Sequence, residues 1–323
     1  MWHCLCSDET CYPIKQFSDF NGPFLHDPVM TPAPVLLFTY NRPTHTRQTL
    51  EALLRNELSR ESELFVFSDG YKNETDKEQV IQVRRVIHAI EGFRKVYITE
   101  QPQNVGLAKN VIDGVTRMIN VYGKVIVLED DLLTSPQFLT FMNEALEMFA
   151  DEDKIGHIHG FCFPLPDMPD AFLIKWAGSW GWATWQRAWQ QFNPDGEALL
   201  AELKRRKLQK EFDFNGNYPF TRMLKKQVRG ENDSWAIRWN ASLFLNDILS
   251  LNAGKSLVQN IGFDGSGRHS GNQNIYTTNL YNRKLTINIP EIAENKAARK
   301  SFEKYYGITN SFWAKVKRRL RQK

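Results

Sequence analysis

From residue 35 onward the chain alternates short apolar runs with longer stretches whose apolar positions recur at helical spacing. Runs at 35–40, 64–67, 95–99 and 124–128 have the length and composition of buried strands, and 46–58, 76–90 and 108–122 between them read as helices. Strands that alternate with helices predict a parallel sheet covered on both faces. Such sheets bind ligands at the carboxyl ends of their strands, so the residues after each run are the ones to inspect for chemistry. After Pro136 a helix is expected to about residue 150, and then the pattern changes. A strand candidate at 155–163 leads to a tryptophan-rich stretch at 176–189 around Gly178 and Gly181. A charged helix near 197–211, an aromatic segment at 212–220, a helix at 234–246, a Gly-rich loop at 262–271 and a basic C-terminal helix follow. The expected organisation is a leader at 1–33 ending in Pro28, Pro32 and Pro34, an α/β half at 34–150, an elaborated half at 151–290, and a basic helical tail at 291–323.

Composition narrows the class. With 323 residues, 42% of them hydrophobic, the chain can bury a sizeable core and is not of the disordered class. Its formal charge of +4 is small for the length and much of the surplus lies in the last dozen residues, so no nucleic-acid partner is expected. No run of about 18 apolar residues occurs, and the N-terminus carries Asp8 and Glu9 where a signal peptide would be basic and then apolar, so a cytoplasmic protein is expected. Cys4, Cys6 and Cys11 crowd the first residues while Cys162 stands apart, which is no disulfide framework. A zinc reading of His3 with the first three cysteines lacks paired C-x-x-C spacing, and a plain leader is the better account.

The strongest chemical signal is the apolar strand that ends in Glu129-Asp130-Asp131 and is followed by Ser135 and Pro136 at a helix start. Carboxylates gathered there repel one another unless a cation or ligand donors offset them, and hard divalent ions prefer such oxygens. The competing reading is that one or two of them cap the next helix. Asp69 beside Gly70 and the pair Asn41-Arg42 before Pro43 sit at the same expected edge, where Arg42 could meet phosphate and Asp69 a base or ribose; both are also good turn residues. Gly106 and Lys109 open a helix that could face an anion or simply be capped. Asp233, before Ser234 and Trp235, is an acid at a helix start, and Asp264, Arg268 and His269 occupy the Gly-rich loop. His157 and His159 share one face of a strand and read as buried structural residues. Leu249 stands where a P-loop at Gly254-Lys255-Ser256 needs glycine, and Ser270 where a dinucleotide fingerprint needs its last one, so neither motif survives.

Taken in order, the segments 34–42, 64–70, 125–138 and 180–182 resemble the catalytic domain of GT-A glycosyltransferases, a Rossmann-like, mostly parallel sheet flanked by helices with an elaborated acceptor-side C-terminal half. The likeness is to N-acetylglucosaminyltransferase I and bacterial family 2 sugar transferases, covers roughly 34–275, and is most specific at VLEDDLLTSPQF, residues 127–138. It implies Asp131 as ligand of Mn2+ or Mg2+, and Asp130 and Glu129 as donor contacts. It also implies Arg42 and Asp69 at a nucleotide, a uracil base, Gly181-Trp182 at the sugar, and Asp233 as catalytic base; Arg268 and His269 match its mobile diphosphate loop in character. The implied activity is inverting transfer of a hexose or N-acetylhexosamine from a UDP-sugar to a hydroxyl of a glycan or lipid-linked acceptor, as in bacterial polysaccharide biosynthesis. A nucleotidyltransferase of related fold is the rival in chemistry, although Asn41-Arg-Pro-Thr-His lacks the glycine-bearing loop it needs. An inactive membrane-associated binding protein is the rival in class.

Phe312, Trp313, Val316 and Leu320 fall at helical spacing among six Lys and Arg residues between Ser311 and Lys323. Two readings stand: an interfacial helix on an anionic membrane at the inner face of the cell, each basic residue contributing about 1 kcal/mol, or a solvated basic tail too short to be a stable helix. Liposome co-sedimentation separates them. The interfacial helix requires that full-length protein bind anionic vesicles in low salt, that a 1–310 truncation not bind, and that salt weaken the binding; equal recovery of the two proteins assigns the solvated tail.

Overall fold

Apolar runs without a polar face are buried on both sides, and in the computed structural model, which describes residues 31–263 and 278–311, the first runs lie side by side. They are β1 (Val35–Thr39), β2 (Glu63–Ser68), β3 (Lys95–Glu100) and β4 (Lys124–Glu129), all parallel, with β1 between β2 and β4 and β3 outside β2. The crossovers are helices α1 (Pro43–Leu54), α2 (Glu74–His88) and α3 (Leu107–Tyr122). Alternation along the strands decides which face each serves. Val35, Leu37, Leu64 and Val66 pack with Leu50 and Leu53 of α1 and Val83 and Ile87 of α2, whereas Leu36, Phe38, Phe65 and Phe67 pack with Val111, Val115 and Met118 of α3.

After β4 the chain makes a short strand, β5 (Leu132–Thr134), and then α4 (Phe138–Met148). The later strands are β6 (Ile155–His159), β7 (Ala171–Ile174), β8 (Trp182–Trp185), β9 (Leu249–Ala253) and β10 (Val258–Asn260). Helices α5 (Gln186–Trp189), α6 (Gly196–Arg205), α7 (Gln209–Phe212), α8 (Phe220–Val228), α9 (Trp235–Leu245) and α10 (Lys296–Thr309) accompany them. The main sheet has eight strands in the order β3-β2-β1-β4-β8-β6-β9-β7, and only β8 and β7 run against the rest. This is the mostly parallel, helix-flanked α/β architecture expected. β10 pairs with β5 in a separate antiparallel ribbon.

The structure departs from the sequence pattern at several points. The strand expected to 163 stops at His159, because Gly160 N–H turns to the carbonyl of Gly181 at 2.8 Å. The charged helix near 197–211 is broken at Lys207, whose φ of 58° no helix allows. Within the segment read as a basic tail, α10 is seated in the core by Ala298, Phe302 and Tyr306, and Arg299 is buried between Glu294 and Glu303 with its guanidinium 3.8 Å from the centre of the Phe214 ring. The leader cysteines, most of the Gly-rich loop and residues 312–323 lie outside the described residues. No described helix is long and apolar enough to cross a membrane.

His157 and His159 on β6 are both fully buried, as their shared strand face suggests. The Trp239 indole N–H donates to His157 Nδ1 at 3.1 Å, and the imidazole stacks on Trp182. Asn252 gives its amide N–H to the Ser250 carbonyl, which turns its own oxygen toward His159 Nδ1 at 3.3 Å and assigns that nitrogen the proton. Burial lowers both pKa values, His159 to about 3 and His157 well below the ordinary value. Below pH 6.5 the unfolded chain therefore binds protons that the folded chain refuses, and stability falls with pH by roughly 1.4 kcal/mol per unit for each histidine. Urea titrations between pH 7 and 4.5 should show this loss, and His159→Gln should remove about one proton from the slope. Equal slopes for the two proteins would mean that His159 titrates normally.

Candidate active site

The carboxyl ends of β1, β2 and β4 point to one edge of the sheet, and the strongest cluster of titratable groups lies there. Glu129 ends β4, and Asp130 and Asp131 form the turn into β5. That strand separates the acids from α4, whose N-cap is Gln137, so none of them caps a helix. Burial, and then the neighbouring acid charges, push Glu129 well up and Asp130 to about 7, while the Tyr40 N–H and Arg42 pull Asp130 the other way. Tyr40 N–H donates to Asp130 Oδ2 at 3.0 Å, and Thr49 hydroxyl holds the Asp130 carbonyl at 2.9 Å. Fully ionised, the three acids would carry more negative charge than Arg42 offsets.

Arg42 is the one cation paired with this trio among the described residues. It is the N-cap residue of α1, where Pro43 at the first helical position fixes the turn out of β1 and Thr46 returns both N–H and hydroxyl to the Arg42 carbonyl. Its guanidinium donates to Asp131 Oδ2 at 2.9 Å, with both side chains largely covered. Ile261 N–H donates to the Asp131 carbonyl at 2.9 Å, which carries the chain after β10 across the site. A Cβ on Gly262 would stand 2.1 Å from Asp131 Oδ2 and 2.9 Å from the Arg42 guanidinium. The start of the Gly-rich loop thus lies directly against the ion pair. Arg268, His269 and Asp264 fall outside the described residues.

Asp69 is at the same edge, buried, with a different task. Gly70 and Val105 N–H donate to Oδ1 at 2.9 Å, while Gly106 N–H and the Asn104 amide donate to Oδ2 at 3.0 Å. Its four acceptor positions are filled by this chain, so it clamps the 103–106 loop to β2 and has none left for a nucleotide base. Asn104 is the partner sequence reading missed. Lys109, in the first turn of α3, is held in an exposed pair with Asp113 at 2.6 Å. Tyr40 hydroxyl and Asn41 amide both donate to Asp76 in the first turn of α2, and burial with this hydrogen bond raises Tyr40 to about 12.

In the second half, Trp182 is fully buried between His157, Trp189 and Trp235. Expected at a sugar, it is a core residue. Residues two apart on a strand would share a face, but Gly181, at φ +66°, breaks the extended backbone just before β8, so that Trp182 enters the strand facing inward whereas Trp180 lines a cavity. Asp233 is largely exposed and takes one hydrogen bond from Arg238 Nη2 at 3.0 Å. It does not cap α9; Ser234 does, accepting from Ile237 N–H. Arg238 is fixed in turn on the carbonyls of Ser234 and Pro194. No three His, Cys, Asp or Glu side chains among the described residues converge as a metal cage.

No family model matches the chain. Among solved structures it is similar to the mannosyltransferase PcManGT from Pyrobaculum calidifontis, determined with GDP-Man and Mn2+, at 13% identity over 67% of this chain and 75% of that one, TM-score 0.40. It is similar to a cytidylyltransferase from Leptospira borgpetersenii serovar Hardjo-bovis at 11% identity over 50% and 63% of the two chains, TM-score 0.32. To S. aureus TarS it is similar at 16% identity over 43% of this chain and 24% of that one, TM-score 0.30. Scores this low carry no weight for activity.

Two glycines at this edge separate rigid from yielding surroundings. A Cβ on Gly70 would meet the backbone carbonyl carbon of Gln103 at 2.3 Å, which only a shift of the loop can relieve. Gly70→Ala should cost about 1–3 kcal/mol in urea denaturation, the scale of overpacking. Gly262→Ala meets only the ends of two side chains, and should cost less than about 1 kcal/mol, the scale of a partly exposed ion pair. The reverse order of losses would contradict the placement of both loops.

Proposed function

We propose that this chain is a metal-dependent, inverting glycosyltransferase that moves a hexose or N-acetylhexosamine from a nucleotide-sugar, of which a UDP-sugar is the first candidate, to an acceptor hydroxyl on a glycan or lipid-linked sugar. The observation that carries it is the acid cluster of β4 at the ligand-binding edge of a parallel sheet, short of positive charge and faced by Arg42. One or two carboxylates there would fit a Mn2+ or Mg2+ ion, since such ions are commonly held by one or two carboxylates and completed by substrate phosphates and water. Asp131 would hold it, and bound there it would supply neutralisation of the leaving diphosphate.

The chain's own residues account for the rest. Arg42 presents a guanidinium to a phosphate, Glu129 and Asp130 accept from ribose and sugar hydroxyls, and Asp69 shapes the base side by holding the 103–106 loop. Asp233 takes the proton from the acceptor hydroxyl as it attacks the anomeric carbon, and Arg238 orients that carboxylate. A nucleotidyltransferase fits less well, because β1 passes into α1 through Tyr40, Asn41 and Arg42 alone, with no glycine-bearing loop to wrap a triphosphate.

A thermal-shift panel of UDP- and GDP-sugars with and without Mn2+ tests the reading, since a ligand that binds only the folded chain raises its melting temperature. A manganese-dependent shift is expected with one donor. Asp131→Ala should lose that shift and keep its own melting temperature near the wild type, and Asp233→Asn should keep the shift while turnover falls roughly a hundredfold to ten-thousandfold. No shift with any donor removes the transferase; full turnover in Asp233→Asn removes Asp233 as the base.

A further inference from the structure

A cavity of about 400 Å³ opens beside Trp180 in the second half. Its walls are aromatic: Phe161 and Trp176 from the strand side, Tyr218 from the turn before α8, Tyr306 from α10, and Trp180 with Phe263 between them. Trp180 stands edge-on to Phe161 at 4.7 Å and to Phe263 at 5.6 Å between ring centres. Two chain connections place it. Phe263 follows Gly262, which lies against the Arg42–Asp131 pair, and Ser234, which also lines the cavity, follows Asp233. The hollow is therefore lined by the chain neighbours of Gly262 and of the carboxylate proposed as base.

We infer that this cavity seats a sugar ring of the acceptor, an assignment that rests on the transferase reading above. Aromatic faces carry negative charge density and suit the C–H face of a pyranose, and the volume lies at the small end of ligand pockets, enough for a ring or two. Ser179, Ser234 and Asn240 interrupt the aromatic wall; Ser234 Oγ and Asn240 Oδ1 already accept from Ile237 and Ala177 N–H, and the Ser234 hydroxyl and Asn240 amide would donate to hydroxyls of a sugar, which an alkyl chain cannot accept. Trp180 is the platform in this arrangement.

Saturation-transfer NMR on the full chain with methyl pyranosides of glucose, galactose, mannose and N-acetylglucosamine tests it, with decyl phosphate as the lipid probe. At least one pyranoside should receive saturation at its ring C–H protons. Ala236→Trp, which fills the cavity from α9, and Trp180→Ala should each weaken that binding about tenfold, the scale of one lost aromatic contact, and Trp180→Phe should retain most of it. The donor's manganese-dependent thermal shift should survive in both weakened variants, which shows them folded. Absence of pyranoside binding in the wild type, equal binding in the variants, or displacement of the pyranoside by decyl phosphate overturns the inference. Pyranoside binding without any nucleotide-sugar shift would instead remove the transferase reading and with it the acceptor role, leaving a sugar-binding cavity.

Discussion

Negative charge at the end of β4 sets the terms for everything around it. A strand buried on both faces delivers Glu129, Asp130 and Asp131 to a point where water is partly excluded, and three carboxylates there cannot all stay ionised without help. Tyr40 N–H, at the end of β1, and Arg42, at the start of α1, supply part of that help because β1 runs parallel to β4 and ends level with it. The parallel register is thus what lets acids on one strand meet donors from its neighbour. The remaining deficit of positive charge is the chemical opportunity of the site.

The same strand joins the two halves of the molecule. β8 pairs with β4 in the antiparallel sense, so the main sheet continues from the first half into the second without a break. The turn before β8 requires Gly181, whose positive φ lets Trp180 face the cavity while Trp182 enters the core. From the other side, β10 lies on β5 immediately after the acids, and the chain leaves it through Ile261, Gly262 and Phe263. Gly262 touches the ion pair and Phe263 the aromatic cavity. A residue with a side chain at 262 would have to displace the pair, so absence of a Cβ is what brings the two regions into contact.

Local pattern alone determined the first half: apolar runs alternating with helical spacing are a short-range property, and β1 to β4 with α1 to α3 lie within a few residues of where that pattern puts them. The acid cluster was legible for a related reason, since three consecutive acids at the end of an apolar run conflict with burial wherever they occur. Tertiary structure decided what depends on partners distant in sequence. Whether Asp69 is free to bind a ligand turned on Asn104, Val105 and Gly106, some 35 residues away, filling its lone pairs. Whether Trp180 or Trp182 faces a cavity turned on one positive φ and on pairing with β4 and β6, and β7, β9 and β10 are short strands recognisable only once their neighbours are in place. Periodicity is written in each segment, while register, hydrogen-bond saturation and side-chain direction are properties of pairs of segments, which no segment carries by itself.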